Sequence, residues 1–74
     1  MGGYTMRTWN SYADARRAAE TVAVMYHTTG VVQADYATAV LNTLKVSRKG
    51  EVQEFFEALA GMCPEALKFF VVGD

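Results

Sequence analysis

Seventy-four residues with a hydrophobic fraction of 51% and one cysteine make a single small domain and exclude an internal disulfide framework. Seven basic residues against eight acidic ones leave a net charge of -1, so bulk charge selects neither nucleic acid nor an anionic membrane. No apolar run approaches the roughly 20 residues of a membrane span, and the lone Cys63 suits a reducing cytoplasm, the expected location.

Residues 1–10 hold Gly2 and Gly3 and no periodicity, so they are expected to form an arm whose Tyr4, Met6 and Trp9 can fold back. Residues 11–74 are expected to form one helical domain. Ser11 has the character of an N-cap, and Asp14 three residues later favours the positive end of a helix. From there Tyr12, Ala15, Ala19, Val22, Ala23 and Tyr26 recur at helical spacing, with Asp14, Arg16, Arg17 and Glu20 opposite. Gly30 fits a left-handed C-terminal cap.

A second helix is expected from about Val32 to Val46, burying Tyr36, Ala37, Val40, Leu41 and Leu44. Ser47-Arg48-Lys49-Gly50 is the turn; either Ser47 caps the next helix or Gly50 closes the previous one. The third helix runs through Glu51–Met62 and buries Val52, Phe55, Phe56, Leu59 and Met62. Pro64 then suits the first position of a short helix from Glu65 to about Val71. Phe69–Val72 also has strand composition, but a lone strand has nothing to pair with, so helix is preferred. The expected fold is all-α, a small three- to four-helix bundle. A core this small under so apolar a composition points to a homodimer or an obligate partner.

Charge is segregated along the chain. Lys45, Arg48 and Lys49 are the only charges in residues 38–50, whereas Glu51, Glu54, Glu57, Glu65 and Asp74 face one Lys68 in residues 51–74. The plain reading is a solvated helix face. The functional reading is an acidic surface on the third helix, Glu51, Glu54 and Glu57, that docks on a protein with a basic surface. Arg17 and Val24 form a second candidate face on the first helix, because Val24 is an apolar residue on the polar side. Trp9, Phe69 and Phe70 are the candidate oligomer contacts, since aromatic residues anchor interfaces.

Leu44-Lys45-Val46-Ser47-Arg48-Lys49 resembles the turn of many helix-turn-helix motifs. Lys45, Arg48 and Lys49 would then contact nucleic acid. Val52 comes one position late for that pattern, Gly50 falls inside the recognition helix, and phosphate would repel three glutamates. Nucleic acid is therefore the disfavoured alternative, and a self-assembling structural subunit is a third. His27 and Cys63 are too isolated to suggest a metal site or a nucleophile with its base, so no cofactor, metal or small-molecule substrate is expected. The expectation is a non-enzymatic binding module acting by occlusion. By class-level analogy this is the manner of small regulators and phage-type inhibitors of host machinery.

Overall fold

A computed structural model describes residues 8–70, which contain three α-helices and a short 3-10 helix. The helices are α1 (Tyr12–Thr29), α2 (Ala34–Val46) and α3 (Lys49–Met62), followed by the 3-10 turn Pro64–Phe69. There is no strand among the described residues.

Both ends of α1 follow from local chemistry. The Ser11 hydroxyl accepts the Asp14 N–H at 3.2 Å, and the Asp14 carboxylate reaches back to accept the Asn10 N–H at 3.3 Å. The first bond satisfies an amide that the helix leaves without a partner, and the second ties the preceding residue to the helix. Gly30 closes the helix at φ 82°, donating its N–H to the Tyr26 carbonyl at 2.8 Å. That conformation costs glycine nothing and a side chain much more.

The expected boundaries of α2 and α3 require correction. The second helix begins at Ala34, with Gln33 at its N-cap, and the preceding Val32 is buried without being helical. Neither alternative for the turn holds. Ser47 ends α2 by donating its N–H to the Thr43 carbonyl at 2.9 Å, while its hydroxyl accepts the Trp9 N–H at 3.2 Å. Gly50 lies inside α3, which starts at Lys49. The last element is a 3-10 helix with Pro64 in its first turn, and it stops at Phe69. The expected extension to Val71, and the strand alternative through Val72, lie partly outside the described residues.

Three contacts fix the topology. Trp9 meets Ser47, Tyr12 lies over Gly50 and Arg16 pairs with Glu54, each pair 38 residues apart. A constant offset means that α1 and α3 run parallel. Their backbones approach closely, whereas α2 comes near the other elements at only a few points. The chain ascends in α1, returns in α2 and ascends again in α3.

Phe55 is fully buried at the centre of the core. The Trp9 ring stacks on it at 5.2 Å, and Phe70 meets it edge-on at 5.4 Å. One α3 side chain thus anchors the segment before α1 and the segment after α3. Around it lie Ala15, Ala18, Ala19, Val22, Val40, Leu59, Cys63 and Ala66, all buried. Tyr12 and Met62, expected in the core, are exposed, and the neighbouring Trp9 and Cys63 are buried there instead. The face of α2 is narrower than expected. Tyr36, Val40 and Thr43 are buried, while Ala37, Leu41 and Leu44 are only partly covered.

Candidate functional site

The three-glutamate face does not exist as a surface. Glu51 occupies the core side of α3 with Phe55 and Leu59, at successive intervals of four, and is 7% exposed. Glu54 points toward α1, where its carboxylate accepts the Arg16 Nε–H at 3.2 Å. Only Glu57 is exposed, and its carboxylate accepts a hydrogen bond from the Gln53 amide at 2.9 Å. The parallel packing of α1 against α3 covers most of Glu51 and pairs Glu54 with Arg16.

Two of the expected oligomer contacts are likewise engaged within the chain. Trp9 and Phe70 are buried against Phe55. Phe69 is half-buried and sits edge-on to Tyr26 at 6.1 Å, with the Lys68 ammonium over both rings. Trp9 and Phe70 thus close the core of one chain.

Arg17 and Val24 are on the surface, as their places on the helical wheel require. Val24 is 64% exposed. Arg17, Thr21, Val24 and Thr28 follow one another at alternating intervals of four and three, which places them in a line along α1. At the lower end of that line lies an open cleft of about 360 Å³. Trp9, Ala18 and Tyr36 form its buried floor, and Asn10, Asp14 and Arg17 are among its polar lining. The Arg17 guanidinium has no ion pair among the described residues. Sequence periodicity could place Arg17 and Val24 on the surface; the cleft beside them depends on Trp9, which lies in a segment with no periodicity.

Lys45, Arg48 and Lys49 are all exposed around the two-residue connection between α2 and α3. They too lack ion-pair partners among the described residues. Beside them is Tyr12, 54% exposed, its ring lying across Gly50. A Cβ at residue 50 would stand 3.0 Å from the Tyr12 hydroxyl and 3.4 Å from the ring edge. Exposed Val46 completes this corner.

The two residues with nucleophilic or basic chemistry are differently placed. Cys63 is fully buried where α3 passes into the 3-10 helix, its thiol 3.8 Å from a Glu65 carboxylate oxygen. His27 is exposed in the last turn of α1. No group of three or more His, Cys, Asp or Glu among the described residues is arranged to hold a metal ion. No described helix is long and apolar enough to cross a membrane. Comparisons with protein-family models, with curated proteins and with solved structures find no match to this chain.

Proposed function

We propose that this chain is a non-enzymatic protein-binding module that acts by occlusion, and that its contact surface is the outer face of α1. The observation carrying this reading is the exposure of Arg17 and Val24 along one line of α1 beside an open cleft. A valine that projects from a rigid helix beside an unpaired guanidinium supplies the two ingredients of an interface anchor, an apolar contact and a directional charge. The complementary feature on the partner is an apolar side chain flanked by a carboxylate. The basic partner anticipated from three glutamates loses its basis, because Glu51 is buried and Glu54 is held by Arg16. A cytoplasmic setting belongs to the same proposal, supported by the one free cysteine.

The test is retention of cellular protein on the immobilised chain, with nuclease present, by wild type and by Arg17→Glu and Val24→Asp. A stoichiometric partner lost with both variants supports the proposal. Equal retention by wild type and variants overturns it. Both substitutions fall on exposed positions, so unchanged helicity separates lost contact from lost fold. Sedimentation of the free protein shows whether the partner is a second copy.

A further inference from the structure

The α2–α3 corner has a chemistry distinct from the α1 face. Lys45, Arg48 and Lys49 put three exposed cations, without ion-pair partners among the described residues, within five residues. Of the carboxylates that sequence places beside them, Glu51 is 7% exposed and Glu54 pairs with Arg16. Of the three glutamates, Glu57 alone stands exposed on the surface of α3. Asp14, the nearest acid on α1, is half-buried and engaged with the Asn10 and Ser11 region through the Asn10 N–H.

Tyr12 adds a feature that charge alone lacks. Because Gly50 has no side chain, the ring lies against the first turn of α3, next to Lys49, while more than half of the residue stays open to solvent. The glycine thus makes room for the phenol end of Tyr12, and 54% of the residue stays exposed. Cations that track a phosphodiester backbone, beside an aromatic surface on which a base can stack, are the recurring requirements for holding single strands.

We propose that this corner binds single-stranded nucleic acid without sequence preference, with Lys45, Arg48 and Lys49 contacting phosphates and Tyr12 stacking on a base. Duplex is the poorer ligand, because its bases are already stacked and offer Tyr12 nothing. Three phosphate contacts give weak, salt-sensitive binding, with the logarithm of affinity falling against the logarithm of salt at a slope of about -2.

The experiment is fluorescence anisotropy of a labelled polythymidine oligonucleotide at low salt, titrated with the full chain. Wild type is expected to bind, and the combined Lys45→Glu, Arg48→Glu and Lys49→Glu variant to lose binding. Tyr12→Ala is expected to weaken it about tenfold, within the range for loss of one stacked base, and Tyr12→Phe to retain it. Val31→Asp, at the exposed turn that follows the far end of α1, serves as the control and leaves affinity unchanged. No binding by wild type overturns the proposal, as does binding indifferent to the charge reversal. Equal affinity for duplex or for heparin with no effect of Tyr12→Ala overturns the single-strand assignment. All five substituted positions are exposed, and circular dichroism confirms that the variants are folded.

Discussion

The α1–α3 pair and α2 bury their side chains by opposite means. Along the first, α1 supplies Ala15, Ala18, Ala19 and Ala23, all buried, and α3 supplies Phe55 and Leu59. Small residues on one helix let a neighbouring backbone come close, and large ones on the other fill what space is left. Helix α2 stands further off and reaches the core through Tyr36, Val40 and Thr43. Its buried line includes a hydroxyl, Thr43 Oγ1, that has no hydrogen-bond partner. Neither Gln33 at the start of α2 nor Arg48 at the start of α3 supplies a side-chain cap, whereas Ser11 does so for α1. Stability is therefore concentrated in the parallel pair, and α2 is held chiefly by a few side chains and the turn at Ser47.

The largest test of this contrast is Phe55→Ala, which removes the ring that Trp9 and Phe70 share. Truncating a buried phenylalanine costs about 3–5 kcal/mol, comparable with the whole stability of a domain this size. The variant is expected to be mostly unfolded at room temperature, with urea titration followed through the single tryptophan, Trp9. A midpoint close to wild type would show that the stack does not join the two ends of the chain.

On the α2 side the expected sign reverses. Thr43 is 2% exposed, and Thr43→Val keeps its shape while removing the unpaired hydroxyl. Relief of that desolvation stabilises by about 1–3 kcal/mol, read as an increase in denaturation midpoint. A decrease would mean that the hydroxyl is satisfied and that α2 is better joined than its geometry indicates.

The smallest effect compares two glycines within α3. Nothing lies within 4 Å of a Cβ added at Gly61, so Gly61→Ala should stabilise by the helix-propensity difference alone, about 1 kcal/mol. At Gly50 the same gain is opposed by displacement of Tyr12, and the shift in thermal midpoint should be smaller. Equal shifts would show that the Tyr12 ring moves away without cost.

Much of this architecture is legible in the residues. Ser11, Gly30 and Pro64 mark element ends through chemistry that acts within a few residues, so their roles follow from sequence. Phe55 and Leu59 are marked by period and size. Glu51 shares that four-residue spacing, and the spacing was the available signal; residue type argued the other way and hid it. Thr43 is concealed for the same reason, three positions after Val40. The Arg16–Glu54 pair and the Trp9–Ser47 bond have no local signature, because both arise from helices that become neighbours only in the folded chain. The candidate surfaces divide likewise. Val24 and Arg17 are visible on a helical wheel, whereas the Tyr12 platform depends on a glycine 38 residues away.

That recurring separation governs when the fold can form during synthesis. Most helical stability in proteins comes from tertiary packing of an apolar face, and the main partner of α1 is α3. At about 5–20 residues per second, roughly 2–8 s elapse between the emergence of a residue in α1 and its counterpart in α3. An antiparallel hairpin of α1 with α2 would be available sooner, but the uncapped, sparsely contacting α2 makes it a poor early partner. For a helical protein the fold accordingly forms late and as a unit, once α3 is available to cover the alanine-lined face of α1.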